Sequence, residues 1–344
     1  MGHSTDRPVI LVLTDGRAGH VSKTQGMLLL LAQLAPYADH RVQWWSIRQP
    51  QAWQRRLSRG LLRLGLMPYW CLRWYVPTDV EWPKQVSVVV STGGDTLVPN
   101  VLLSQLFQCQ NLVSSALRGI PTRYFSVVFS ADISQLAPPY LCTPIAPTKM
   151  QFAQDTGRGL SARQRLGLCV DRPILTLLIG ADTRDCPAAT IDQLIHMIDW
   201  FRRHTQCQVL LTTSRRTPIS EEQALQQQLL FEADDQCCWV AQGQQCHVED
   251  YIDAADWVIC TQESESMLSE VISVGRPLIV PQQDPIRNQS HAQRLMQWEQ
   301  RGWLWRGTAE QLNQLDVKRL PKGNRQDIGL QMVASLADYL AKVE

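Results

Sequence analysis

Short runs of aliphatic and β-branched residues recur along the chain. Each is stopped by glycine or a small polar cluster and followed by a stretch of helical period. Val9-Ile10-Leu11-Val12-Leu13 is the first, halted at Asp15-Gly16. Consecutive apolar side chains point alternately to both faces of a sheet, so such a run predicts a strand covered on both sides. Residues 23–34 then read as a helix, with Met27, Leu28, Leu30, Leu31 and Leu34 on or near one face. Residues 41–47 read as a strand and 51–75 as an amphipathic, basic helix. Val86-Ser87-Val88-Val89-Val90 is another buried strand, ending at Ser91-Thr92-Gly93-Gly94-Asp95, and 122–129 is a further one. Strands alternating with helices in this way predict βαβ units and a parallel sheet.

A second series opens after Ser161. Strands are expected at 173–179, 208–213, 256–260 and 277–280, with helices at 188–204, 221–231, 266–273 and 289–301. Between the series, residues 138–164 are rich in proline, glycine and polar side chains and mark the seam. The pattern predicts two α/β, Rossmann-like parallel-sheet domains facing a cleft, at 1–155 and 156–325. A last helix, 326–344, is expected to pack on the first domain. The length of 344 residues fits two domains.

Composition narrows the function classes. Formal net charge is +1, so no global field argues for nucleic acid. Ten cysteines are scattered without a CxxC pair, which excludes zinc-ribbon spacing and reads as free thiols in a reducing compartment. No apolar run reaches the ~18–20 residues of a membrane helix, and residues 1–8 lack the pattern of a signal peptide. A cytoplasmic protein is expected, with one qualification. Arg55, Arg56, Arg59, Arg63 and Arg73 alternate with Leu, Trp and Tyr over 55–75, a pattern suited to lying on the inner face of an anionic membrane. An ordinary amphipathic helix packed on the sheet has the same pattern.

Ligands of open parallel sheets bind beyond the carboxyl ends of the strands, so the strand-to-helix loops hold the candidates. In Thr14-Asp15-Gly16-Arg17-Ala18-Gly19-His20, Gly16 and Gly19 permit close backbone approach to a phosphate, and His20 is a candidate general base. Asp15, or Asp95 in the Gly93-Gly94-Asp95 loop, is the alternative base. Gly180, Thr183 and Arg184 open the second series in the same way, and Ser214 and Arg215 suit a diphosphate. Ser264 and Ser266 are placed to cap a helix whose N–H groups face a phosphate, and Glu270 to accept hydrogen bonds from a ribose. Gln282, Gln283 and Asn288 offer amides to a sugar. Each loop also reads as plain capping and turn chemistry. No GxGxxG fingerprint and no paired-aspartate metal motif occurs, so no metal and no resident cofactor is expected.

Residues 256–288 resemble the donor-binding region of the GT-B transferase that completes lipid II in peptidoglycan synthesis. That family shows a strand, a serine loop, a helix with a glutamate, a Gly-x-Pro turn, a strand and a Gln-rich loop in this order. The resemblance implies diphosphate contacts at Ser264 and Ser266, a ribose contact at Glu270, and a sugar near Gln282, Gln283 and Asn288. The first loop is similar too, but has Asp15 and Arg17 where more glycine is usual. A closer resemblance is to the plant elongated-mitochondria fission-factor family and its bacterial relatives. It is carried by Leu13-Thr14-Asp15-Gly16-Arg17-Ala18-Gly19-His20, Leu211-Thr212-Thr213-Ser214-Arg215-Arg216-Thr217-Pro218 and Ser264-Glu265-Ser266-Met267-Leu268-Ser269-Glu270. It implies a GT-B-like fold without fixing a reaction.

Three functions follow as expectations. The first is a metal-independent glycosyltransferase using a nucleotide-diphosphate sugar and a glycan or lipid-linked acceptor of the cell envelope. The second is a nucleotide-sugar epimerase or hydrolase, which needs two acid/base groups around the sugar, with Asp182 and Glu263 among the candidates. The third is a non-catalytic, membrane-associated scaffold.

Overall fold

A computed structural model describes residues 7–130, 132, 137–152, 157–169, 171–320, 322 and 326–343. The chain divides into two compact units, Met1–Gln151 with Ile328–Glu344, and Phe152–Asp327. The boundary expected at 155/156 falls on residues 153–156, outside the described residues.

In unit 1, β1 (Val9–Thr14), α1 (Ala18–Ala32), β2 (Arg41–Ser46), α2 (Ala52–Arg63), α3 (Leu72–Tyr75), β3 (Val86–Thr92), α4 (Leu97–Phe107), β4 (Gln110–Ser114), β5 (Val127–Ser130) and β6 (Tyr140–Cys142) follow one another. The strands form one sheet in the order β2-β1-β3-β4-β5-β6, every pair parallel. Leu11 aligns with Gln43 on one side and Val89 on the other. Leu11, Leu13, Val88, Val89 and Val90 are fully buried, as apolar runs covered on both faces require. At the edge, β2 buries Trp45 and exposes Trp44.

Unit 2 contains α5 (Arg158–Leu166), β7 (Ile174–Leu178), α6 (Ile191–Thr205), β8 (Gln208–Thr212), α7 (Ile219–Gln228), β9 (Gln236–Cys238), α8 (Val248–Ala254), β10 (Trp257–Cys260), α9 (Glu265–Val274), β11 (Leu278–Pro281), α10 (Gln289–Gln300) and β12 (Trp305–Gly307). Its sheet runs β12-β11-β10-β7-β8-β9, again all parallel. The last helix, α11 (Gln326–Val343), rejoins unit 1 and buries Ile328, Met332, Leu336 and Leu340. Both units are therefore Rossmann-like α/β layers.

Several elements depart from the sequence reading. The helix expected over 51–75 stops at Arg63, because Gly65 turns at φ 84° and Pro68 follows. Residues 122–129 hold a short 3₁₀ turn, Thr122–Tyr124, before the strand starts at Val127. The stretch 138–164, expected as a seam, contributes β6 and most of α5. Strands β4, β6, β9 and β12 were not expected: β6, β9 and β12 are only three residues long, and β4 sets Leu112 and Val113 among polar Gln110, Asn111 and Ser114.

Candidate functional site

In each sheet the strand order reverses once. In unit 1 this happens between β1 and β3, and in unit 2 between β7 and β10. The connections diverge to opposite faces there, leaving a crevice at the strands' carboxyl ends. The loops after these four strands are residues 15–17, 93–96, 179–190 and 261–264.

In unit 1 the crevice holds an oriented histidine. His20 sits in the first turn of α1, and its Nδ1 lies 2.8 Å and 3.0 Å from the two carboxylate oxygens of Asp15. The Asp15 side chain is almost wholly enclosed. Burial by itself raises its carboxyl, but the His20 ring and the Arg17 backbone N–H and guanidinium outweigh that and hold it below the usual carboxylate range. An ionised Asp15 assigns the proton to Nδ1, which leaves the Nε2 lone pair free to accept another. Gly93, at φ 100°, lets the ring lie against the backbone: a Cβ there would sit 2.5 Å from Nδ1. Gly16 takes φ 74°, which explains it as a turn residue, whereas Gly19 lies inside α1.

Asp95, expected as an alternative base, has a different setting from Asp15. Guanidiniums of Arg55, Arg59 and Arg17 stand 3.3, 3.6 and 3.9 Å from its carboxylate. The Asp95 carboxylate is held by these guanidiniums, so of the three expected catalytic residues the geometry favours His20 with Asp15 as its partner.

In unit 2 the crevice loops are tied across the sheet. Gly180 N–H donates to Thr261 Oγ1 at 2.8 Å, and Thr261 Oγ1 donates to Glu263 Oε1 at 3.0 Å. The Ala181 N–H reaches the same carboxylate oxygen at 3.1 Å. A Cβ on Gly180 would overlap Glu263, so glycine is needed there for a side chain of this protein. The other Glu263 oxygen is buried with no hydrogen-bond partner among the described residues. Burial pushes this carboxyl up to about 7, against the pull of its hydrogen bonds and of Arg216.

Gln262, to which the sequence reading gave no role, joins four segments. Its side-chain nitrogen donates to Pro187 O (3.0 Å) and Gln283 O (2.6 Å), its backbone carbonyl oxygen faces His291 Nε2 (2.7 Å), and Arg306 reaches its Oε1 (3.3 Å). A glutamine in a polar loop carries no signal of such contacts, all of which are distant in sequence.

The expected binding residues divide accordingly. Arg184 and Arg215 are exposed, and Ser266 is half-buried at the start of α9. Ser264 is the N-cap of α9 but makes no side-chain capping bond, contrary to expectation. Glu270 is buried within α9. Other hydroxyls and amides are already engaged. Thr183 Oγ1 closes a loop on Cys186, and Ser214 bonds to Thr217 and to the Arg216 N–H. Gln283 holds Gln193, Gln282 holds Asp284, and Asn288 caps α10 through His291 N–H. Asn288 is thus explained as a cap without any sugar.

The chain matches the family model described as Mitochondrial fission ELM1 over residues 18–325. No curated protein sequence matches it. Among solved structures its fold is similar to that of S. aureus MnaA in its co-structure with UDP, at TM-score 0.55 and 11% identity, covering 97% of each chain. It is also similar to the UDP-GlcNAc 2-epimerase of Methanocaldococcus jannaschii, at TM-score 0.54 and 11% identity, over 96% of this chain and 99% of that one. The E. coli ADP-heptose LPS heptosyltransferase II matches at TM-score 0.48 and 12% identity, over 96% and 99%.

Proposed function

The chain belongs to the mitochondrial fission ELM1 family, and from that premise we propose that it is a glycosyltransferase using a nucleotide-diphosphate sugar, with His20 as its base. The observation that carries this reading is the His20–Asp15 pair at the switch point of the first sheet. Histidine tethered through Nδ1 to a buried carboxylate is the arrangement that prepares Nε2 to take a proton from a hydroxyl. In the proposed reaction Nε2 accepts the proton of an acceptor hydroxyl as its oxygen attacks the anomeric carbon. The bond from that carbon to the diphosphate breaks, and the nucleoside diphosphate leaves with the electron pair. Asp15 stabilises the imidazolium that forms.

Unit 2 would hold the donor. The first turn of α9 presents backbone N–H groups, and exposed Arg184 and Arg215 with half-buried Ser266 provide donors for the leaving diphosphate. We propose no metal and no resident cofactor for this step, and an acceptor from cell-envelope or lipid-linked glycan synthesis. A second reading, an epimerase or hydrolase acting on the same donor, is favoured by one observation. Glu263, at the unit 2 crevice, has a carboxyl raised to about 7 and is suited to exchanging protons near neutrality.

The test is calorimetric titration with UDP, GDP, CDP and ADP, followed by donor turnover. UDP, which S. aureus MnaA holds in its co-structure, comes first. One nucleotide should bind, and Glu270→Ala should weaken it. With that nucleotide's sugar, His20→Ala should reduce turnover by about 10²–10⁴-fold while leaving nucleotide binding intact. Turnover that survives His20→Ala but not Glu263→Gln would favour the second reading. No binding by any nucleotide at millimolar concentration would overturn both and leave a scaffold.

A further inference from the structure

The loop after β3 has a feature that proton abstraction does not use. Four guanidiniums converge on Gly93-Gly94-Asp95. Arg17, Arg55 and Arg59 reach the Asp95 carboxylate, none closer than 3.3 Å. Arg118, from the turn after β4, lies so tightly on Gly94 that a Cβ there would overlap its Nε. Two carboxylates face these four cations, and Asp15 is already engaged by His20.

The donors outnumber their partners. A guanidinium offers five N–H groups. Here Arg55 donates to Asp95 at 3.3 Å and Arg59 to Gly94 O at 2.9 Å. Arg59 Nε is buried with no partner among the described residues. Burial first, and then the neighbouring Arg118 charge, hold the Arg59 guanidinium below its ordinary range, against the pull of Asp95. Planar forks gathered around one loop suit the tetrahedral oxygens of phosphate, and that loop lies at the carboxyl end of β3, beside His20.

We infer that Arg17, Arg55, Arg59 and Arg118 form a binding site for a phosphate or diphosphate group carried by the acceptor. The acceptor role rests on the transferase reading; the anion site does not. A soluble sugar phosphate and a lipid-borne phosphate present the same chemistry, and the surroundings favour the lipid. The helix that supplies Arg55 and Arg59 also exposes Trp53 and Leu57, with Leu64, Leu66 and Trp70 exposed just beyond it. Seven arginines and no acidic residue lie between Asp39 and Asp79. Exposed apolar tips on a segment whose own charged residues are all basic match an anionic bilayer.

Titration with sodium pyrophosphate tests the site on the wild type, Arg118→Ala and Gly94→Ala. The glycine variant keeps every charge and displaces only the Arg118 side chain. Wild type should bind, and both variants should lose about tenfold in affinity, the loss expected for one charge-assisted hydrogen bond. Circular dichroism melts confirm that the variants fold. No wild-type binding, or unchanged binding in both variants, overturns the inference. Flotation with phosphatidylcholine vesicles, with and without phosphatidic acid, separates the sources. Binding that needs phosphatidic acid and is competed by pyrophosphate supports the lipid, whereas pyrophosphate binding without flotation overturns the lipid source. UDP titration of the wild type reads the donor site independently, so the two proposals fail separately.

Discussion

Two carboxylates show how one residue type acquires opposite properties from its surroundings. Asp15 is enclosed but meets a histidine and a backbone N–H, so it stays ionised. It contributes stability above its unfolded pKa, and that contribution is lost as the pH falls through its lowered folded value. Glu263 is enclosed with one oxygen unpaired, and its carboxyl rises from 4.5 to about 7. The folded state therefore binds its proton more tightly than the unfolded state. Stability from this group is full below about pH 4.5 and is lost as the pH rises through 7. Glu263→Gln keeps an oxygen for Ala181 N–H and Thr261 and removes the buried charge. It should stabilise the protein by roughly 3 kcal/mol at pH 8 and leave it unchanged near pH 4. Thermal melts at the two pH values check this, and an equal effect at both would rule out the charge as its origin. Nothing in the string Thr261-Gln262-Glu263 announces this behaviour. The sequence placed Glu263 only among the candidate acid/base groups of an epimerase or hydrolase, because its burial depends on Gly180, far away along the chain.

Among the elements, the long strands and the apolar face of α1 were the most legible, although α1 starts at Ala18 and so takes in His20, five residues before the start expected at 23. The strand declares itself as the unbroken apolar run Val9–Leu13 and the helix by the spacing of Met27, Leu30 and Leu31, all deeply buried. Their packing partners were not legible. Gly26 sits in the middle of α1, where glycine ordinarily weakens a helix. A Cβ there would collide with the backbone of Pro147 and Thr148, which Gln151 ties to Gly26 O at 2.6 Å. Backbone cannot move aside as a flexible side chain can. Gly26→Ala should therefore cost about 1–3 kcal/mol, despite alanine's higher helix propensity. Urea denaturation measures the difference, and a stabilised variant would show that the 147–148 segment yields freely. The opposite holds at Gly94, where the obstacle is the exposed side chain of Arg118, and alanine there should affect binding more than stability.

At the scale of the molecule, the two units have separate apolar cores, and α11 returns the chain to the first of them. Four buried side chains of α11, Ile328, Met332, Leu336 and Leu340, make it part of unit 1. A chain ending at residue 325 should lose on the order of 1.5–3 kcal/mol per buried side chain from unit 1. Hydrogen exchange should then quicken across β1 and β3 while β7 and β10 keep their protection. Equal loosening of both sheets would refute the assignment of α11 to unit 1. The sequence by itself determined that the chain makes two parallel α/β layers, because buried strands and amphipathic helices are written in local periodicity. It also marked the strand-end loops as the places for chemistry, since glycine and small polar residues stop each strand. Only the tertiary structure decided which loops meet. Strand order brings the loop after β1 to the one after β3, and the loop after β7 to the one after β10, although each pair is about eighty residues apart in the chain. That ordering sets His20 on Asp15 beside Gly93, places Glu263 over Gly180, and gathers four arginines from three segments around Asp95. Charge, burial and proton affinity at those points are properties of the neighbours, and neighbours are what a linear sequence leaves unstated.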